Sequence, residues 1–174
     1  VSGDNARERR EWAVLEEVVG APSRINKIAE DIVNHFNNKP IEGKAMIVTM
    51  SRRIAILMYE AIKKIDGVPE CAVVISNSDE YAGVLQPEKD VKKLEKRFKK
   101  VNDSLKIAIV CDMWLTGFDV PCLHTMYLDK PLKNHGLMQA IARVNRVFKD
   151  KPGGLIVDYI GIAENLKKAL AWYD

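Results

Sequence analysis

Three polar side chains recur at helical spacing in the segment QAIARVNR, and they are Gln139, Arg143 and Arg146. On an α-helix these positions stand at i, i+4 and i+7, so their side chains project from one face. Arginine presents a planar fork of donors that suits phosphate oxygens, and an arginine at a transferring γ-phosphate lowers the reaction barrier. The segment therefore predicts a nucleoside-triphosphate sensor. The alternative is a pair of arginines in surface salt bridges.

A second polar segment, TGFD, precedes this helix and ends at Asp119. Its glycine, Gly117, allows the backbone to approach a ligand closely at a turn. Asp119 is a candidate acceptor, although aspartate is also common in turns such as one before Pro121 for local hydrogen bonding. Trp114, just before this segment, is a candidate either for the core or for stacking on a base.

Composition sets the frame for these residues. The chain has 174 residues, of which 47% are hydrophobic and 29% are charged, enough for one compact domain with its own core. No apolar run has the length of a membrane span or of a signal-peptide core, so we expect a soluble, cytoplasmic protein without membrane partners. The three cysteines and three histidines lack metal-ligand spacing, and we expect neither a disulfide framework nor a metal site.

The net charge of +3 is mild, but the positive charges are unevenly distributed. Residues 88–106 hold eight lysines and arginines against four acids. The spacing predicts an amphipathic helix with Val91, Leu94 and Phe98 facing inward and a solvated basic face. A contact with phosphate is the alternative for that face.

Short apolar runs alternate with amphipathic segments along the chain. The predicted strands are 44–49, 71–76, 107–111, 125–128 and 154–158. The predicted helices are 11–19, 23–37 with Ser23 as N-cap, 51–65 with Ser51 as cap, 90–100, 137–148 and 162–172. This order predicts an α/β fold, a mostly parallel sheet flanked by helices on both sides and joined by right-handed crossovers.

The polar segments follow strands in this scheme. Ser51 and Arg52 come directly after one strand, the TGFD segment follows another, and Gln139 begins a helix after a fourth. Ligands of such sheets bind at the carboxyl ends of the strands. We therefore expect three segments to converge on one edge and to build a shared site there.

These motifs also carry a family resemblance. The order MSR at 50–52, DMWLTGFDVP at 112–121 and QAIARVNR at 139–146 resembles motifs IV, V and VI of superfamily 2 helicases. More narrowly, the chain resembles the motor subunit of type I restriction enzymes, including the phrases at 20–36 and 153–170. The resemblance runs from Trp12 onward. It implies a second RecA-like motor domain with a three-layer fold over 23–174, after a linker or partial helix at 1–22.

Residue roles follow from the resemblance by position. It implies that Arg146 and Arg143 contact the γ-phosphate, with Arg146 the first candidate for the arginine finger. Gln139 would bond near the γ-phosphate or link the nucleotide to DNA, and Asp119 would accept from the ribose or support the arginines, beside Gly117. The resemblance also implies contacts with the DNA backbone from three further residues, which are Ser51, Arg52 and Thr116.

Two motifs of a complete motor are absent from the sequence, which agrees with this resemblance. The sequence contains neither a GxxxxGK[ST] phosphate loop nor a DExx box, so ATP and Mg²⁺ would be held mainly by a first RecA-like domain of the same polypeptide. The full-length protein would be an ATP-dependent translocase and site-specific deoxyribonuclease acting on double-stranded DNA with methyltransferase and specificity subunits. The chain alone would neither hydrolyse ATP nor cut DNA. Two alternatives are a non-motor α/β regulatory or binding domain and a repair or remodelling helicase domain of superfamily 2.

Overall fold

The computed structural model describes residues 2–39, 42–76, 86–115, 119–132 and 154–161, together with positions 136, 139, 142 and 144. Within these residues the helices are α1 (Ser2–Val19), α2 (Pro22–Asn38), α3 (Arg52–Ile62) and α4 (Val91–Lys99). The strands are β1 (Lys44–Thr49), β2 (Glu70–Val74), β3 (Leu105–Val110), β4 (Leu123–Asp129) and β5 (Leu155–Asp158). None of the helices described is long and apolar enough to cross a membrane.

The strands form one sheet in the order β2-β3-β1-β4-β5, and each neighbouring pair is parallel. Strand β1 lies at the centre, where Met46 aligns with Ala108 on one side and with Met126 on the other. Each residue of β1 is buried, which is why the strand reads as an unbroken apolar run after its lysine. The predicted α/β fold with a parallel sheet is confirmed.

Successive residues of the strands supply two separate cores. Met46 and Val48 point to the face that packs against Leu94 and Phe98 of α4. The intervening residues of β1 point to the opposite face, which α2 and α3 cover, with Ile32 among the buried residues there. Helices on both faces of the sheet give the three layers that the sequence predicted.

The strand bounds agree with the sequence reading to within two residues. The predicted span of β1, 44–49, is the observed one. Strand β4 is longer than the predicted 125–128 because the buried polar residues His124 and Asp129 extend it at its two ends. The apolar pattern shows where a strand runs, but a buried polar residue at its end is invisible to that pattern.

Two N-caps were predicted, of which one is wrong and the other is confirmed. Ser23 is not the N-cap of α2, because that helix begins at Pro22 after an extended Ala21. Proline is favoured at the first helical position, where its missing N–H is not needed. Ser51 is the N-cap of α3, and its Oγ accepts from the backbone N–H of Ile54 at 3.1 Å.

Helix α1 begins at Ser2 rather than near residue 11, so the polar first ten residues are mostly helical. An i,i+4 ion pair between Arg7 and Glu11, at 3.0 Å, supports this turn. The division between 1–22 and 23–174 stays a prediction. The predicted helix 162–172 lies outside the described residues, and 137–148 is described only at three helical positions, 139, 142 and 144, with 136 helical just before it.

The basic segment is the predicted amphipathic helix. In α4, Leu94 and Phe98 are buried, and Val91 packs partly buried against the same core. The lysine side chain of β1, Lys44, is buried as well and donates from Nζ to the carbonyl of Arg97 at 3.0 Å. Burial lowers the pKa of Lys44, and this contact with the last turn of α4 compensates its charge.

Candidate functional site

Three chain segments leave the sheet at neighbouring points of its carboxyl edge. After β1 come Met50, Ser51 and Arg52, after β3 come Cys111 and Asp112, and after β4 comes Lys130. Strands β3 and β4 flank β1, so these segments lie side by side. The sequence predicted that the segments with Ser51, TGFD and Gln139 converge on one edge. The sheet order places the carboxyl ends of β1, β3 and β4, which these segments follow, side by side. The shared site itself stays a prediction.

Ser51 is engaged by two neighbours. Besides capping α3, its Oγ donates to Glu16 of α1 at 3.0 Å. Glu16 also pairs with Arg53 at 2.6 Å, so α1 is fixed to the first turn of α3. Arg52, the other predicted residue of this segment, is exposed in that same first turn. Its charge contributes to lowering the pKa of Asp112, which follows β3.

Lys130 joins the segment after β4 to the segment after β3. Its Nζ donates to the carbonyl of Cys111 at 3.0 Å and to Oδ1 of Asp112 at 2.8 Å. The lysine side chain is 12% exposed, whereas that of Asp112 is 82% exposed. The hydrogen bond from Lys130 is the largest cause of a lowered pKa at Asp112. Because β1 lies between β3 and β4, this pair spans the end of the central strand.

A second ion pair lies at the same edge of the sheet, beside β5. Asp129, the last residue of β4, has no exposed surface, and both its oxygens accept from Arg24 of α2, at 2.7 and 3.1 Å. Arg24 also donates to the carbonyls of Val19 and Tyr159, each at 3.0 Å. One guanidinium therefore joins the end of α1 to the ends of β4 and β5.

Trp114 anchors the segment after β3 to the layer of α4. Its backbone has φ of 69°, a left-handed conformation that is costly for a bulky residue. The side chain is buried, and its ring stacks on Phe98 with centroids 5.6 Å apart. Trp114 is thus a core residue, which is the first of the two roles considered for it. The strained backbone is held by this packing.

Val144 lies close to Gly154, the residue just before β5. Positions 136, 139, 142 and 144 are helical; Gln139 is half-buried, Ala142 exposed and Val144 buried. A Cβ at Gly154, just before β5, would overlap the carbonyl of Val144, so only glycine fits there. The absence of a side chain at Gly154 thereby allows the close approach of the Val144 backbone.

Of the remaining predicted residues, Asp119 is described; it is exposed and lies between β3 and β4, four residues before the start of β4. Thr116, Gly117, Arg143 and Arg146 fall outside the described residues. Across the residues that are described, no set of three or more histidine, cysteine, aspartate or glutamate side chains could hold a metal ion.

Residues 73–161 match the family model described as type I restriction enzyme subunit R domain 3. The match covers more than half of the chain and includes Asp112, Lys130 and Gln139. The chain belongs to this family. The segments after β3 and β4 are thus parts of an R-subunit domain, as the motif order had indicated.

Curated relatives agree with this assignment of the R-subunit domain. The chain is 51% identical over 169 residues to a protein of Methanocaldococcus jannaschii that is named as the MjaIXP type I restriction enzyme endonuclease subunit. It is 45% identical over 175 residues to the HindI endonuclease subunit of Haemophilus influenzae. These alignments cover 93% and 91% of the chain, but only 16% and 17% of the relatives' own length.

Solved structures share the fold of this R-subunit domain. A fragment assigned to the HsdR subunit of a type I restriction enzyme from Vibrio vulnificus YJ016 superposes with a TM-score of 0.66 at 18% identity, covering 87% of this chain and 30% of that one. The C-terminal domain of the DEAD-box protein Dbp5 gives 0.58 at 16% identity, covering 83% and 77%. The likeness confirms the RecA-like fold.

Sequence reasoning missed the two ion pairs of this R-subunit edge. Asp129 and Lys130 end an apolar run at the predicted carboxyl edge, and that position alone could have singled them out. No comparable signal marks Arg24, which lies on α2 and is 105 residues from Asp129 in the chain.

Proposed function

We propose that this chain is the second RecA-like motor domain of a type I restriction enzyme R subunit and supplies one wall of an ATP site. The observation that carries the proposal is the convergence, on one edge of a parallel sheet, of the segments that match motifs IV and V. The family assignment and the order of the motifs support it. The other wall would come from a first motor domain of the same polypeptide.

The burial of the helical positions after Gln139 supports the predicted orientation of the helix face that carries Gln139, Arg143 and Arg146. Val144, five positions after Gln139, lies roughly 140° around the helix from it, and Val144 is buried in the core. Ala142 lies about 60° from Gln139 and is exposed. At ordinary helical spacing we expect Arg143 and Arg146 on the side of Gln139, away from the core and toward a ligand.

In this proposal the residues of the chain donate hydrogen bonds to ATP and orient it. Arg143 and Arg146 donate to the γ-phosphate of ATP, Gln139 bonds beside it, and Asp119 with Gly117 holds the nucleotide from the segment after β3. ATP supplies the cleavable triphosphate, while Mg²⁺ is assigned to the first motor domain because the sequence contains neither a GxxxxGK[ST] phosphate loop nor a DExx box. Loss of the γ-phosphate contacts would then release the two walls.

The second half of the proposal concerns duplex DNA. Arg52 is exposed at the first turn of α3, where backbone N–H groups and the helix dipole also favour a phosphate. Ser51 and Thr116 would add contacts to the DNA backbone, although the Ser51 hydroxyl already donates to Glu16. The full-length protein would translocate and cut DNA together with methyltransferase and specificity subunits.

The direct test is Arg146→Ala in the full-length R subunit. We expect DNA-stimulated ATP hydrolysis to fall by about 10³-fold or more, because an arginine finger contributes on that order to the rate. Phosphate release and DNA translocation are the measurements. Arg10→Ala, an exposed arginine of α1, is the matched control and should keep wild-type rates. Wild-type turnover by Arg146→Ala would show that the finger assignment is wrong.

A further inference from the structure

The pair of Lys130 and Asp112 is more than a surface ion pair. An exposed pair contributes little to stability and constrains only two side chains. Lys130 is largely buried and also donates to the backbone carbonyl of Cys111, the residue directly after β3. It therefore fixes the position of the main chain at the point where the motif V segment leaves the sheet.

The contact from Lys130 crosses the sheet from the end of β4 to the end of β3, past the end of β1. Neighbouring strands lie about 4.8 Å apart, so β3 and β4 are separated by roughly 10 Å across β1. The lysine side chain covers that separation above the end of β1. The segment that leads toward Gln139 and the segment that leads toward TGFD are consequently joined, although no strand pairing joins them.

Asp112 is at the same time the exposed member of the pair. Its carboxylate also receives a contact from the thiol of Cys111 at 3.7 Å, and the charge of Arg52 lies close enough to act on it. Arg52 belongs to the segment after β1. Lys130, from the segment after β4, bonds this carboxylate directly, whereas Arg52 is the smallest of the causes that lower its pKa.

We propose that Lys130 and Asp112 form a positioning pair that couples nucleotide binding at the Gln139 segment to DNA binding at the segments after β1 and β3. This inference rests on the proposed motor function. A shift of the segment after β4 moves the ammonium group of Lys130, and with it the carbonyl of Cys111 and the carboxylate of Asp112. The field at Arg52 changes in the same movement.

The test measures the coupling itself in the full-length R subunit. The affinity for a double-stranded DNA oligonucleotide is determined with and without a non-hydrolysable ATP analogue, for the wild type, Asp112→Asn, Lys130→Met and the double variant. Coupling between sites is typically about 5- to 150-fold. In each single variant we expect the ratio of the two DNA affinities to fall to about twofold or less.

The double variant and two controls separate positioning from a general loss of structure. Because the two residues act as a unit, we expect the double variant to match the single variants rather than to add their effects. Lys130→Arg keeps the charge and the donors and should restore most of the coupling. Glu95→Gln breaks the i,i+4 pair with Lys99 on α4 and should leave the coupling unchanged.

The outcomes distinguish this inference from the function on which it rests. If the DNA affinity of the wild-type protein is the same with and without the ATP analogue, both the proposed motor function and the positioning pair are wrong. Wild-type coupling that survives in Asp112→Asn and Lys130→Met would overturn the positioning pair alone. Additive losses in the double variant, with lowered thermal stability, would show that the pair is only structural.

Discussion

Arg24 makes four hydrogen bonds at the carboxyl edge. It makes two hydrogen bonds to Asp129 and one each to the carbonyls of Val19 and Tyr159. Asp129 has no exposed surface, so its ionised form is stable there only while the guanidinium stays in place. Removing one partner of such a pair leaves a buried charge uncompensated.

We therefore expect Arg24→Met to lower the free energy of unfolding of the chain by about 3 kcal/mol. Urea unfolding followed by circular dichroism measures it. Adding Asp129→Asn removes the unpaired charge and should recover part of the loss. Arg7→Met breaks the exposed pair with Glu11 and should cost less than about 0.5 kcal/mol. A loss from Arg24→Met no larger than that of this control would contradict the assigned role of the pair.

At the scale of single residues, sequence reasoning succeeded where the deciding contact is local. The N-cap role of Ser51 depends on Ile54, three residues away, and was predicted. The partner of Asp129 lies 105 residues away on a different helix, and no local pattern contains that information. The core position of Trp114 likewise depends on Phe98, which is brought to it only by the fold.

Helix α4 is fixed to the sheet at the amino edge, opposite the candidate site. Arg97 in its last turn bonds both oxygens of Glu70 at the start of β2, at 2.6 and 2.8 Å. It also pairs with Asp103, just before β3, at 2.8 Å. These hydrogen bonds lower the pKa of Glu70 and of Asp103 below their ordinary values. The basic helix is thus held by its arginine while most of its lysines remain exposed.

This network makes part of the stability of α4 depend on pH. Because the folded pKa values of Glu70 and Asp103 are lowered, their contribution is present above the unfolded values, near about 4, and is lost as the pH falls through the folded ones. We expect the stability difference between the wild type and Arg97→Met to shrink as the pH falls below about 4. Urea midpoints across this range measure it. A difference that stays constant in acid would mean that the two carboxylates do not depend on Arg97.

The elements themselves were the most predictable level. Five apolar runs gave five strands, because burial on both faces leaves each central strand a continuous apolar signature. The start of α1 was missed, since residues 2–10 are polar and α1 has no strong apolar stripe. Its attachment comes from Glu16, through Ser51 and Arg53, which are contacts that periodicity cannot report.

Two groups of ion pairs lie at opposite edges of the sheet, and each group connects different elements. The ion pairs at the carboxyl edge connect segments that would meet nucleotide and DNA, whereas the Arg97 network at the amino edge fixes the basic helix α4 to the starts of β2 and β3. The edge could be predicted from the order of strands and motifs. How its segments are joined could not, because Lys130 and Arg24 act across the sheet.

At this scale, the proposal makes the ATP site depend on two domains. We expect the 174-residue chain alone to release no phosphate from ATP above background, with or without DNA, because it would supply only one wall of the ATP site. The full-length R subunit should hydrolyse ATP when DNA is added. Circular dichroism of the isolated chain must show folded helix and sheet, so that inactivity is not confused with unfolding. Turnover by the folded chain at the full-length rate would mean that it holds a complete site, and the composite arrangement would be wrong.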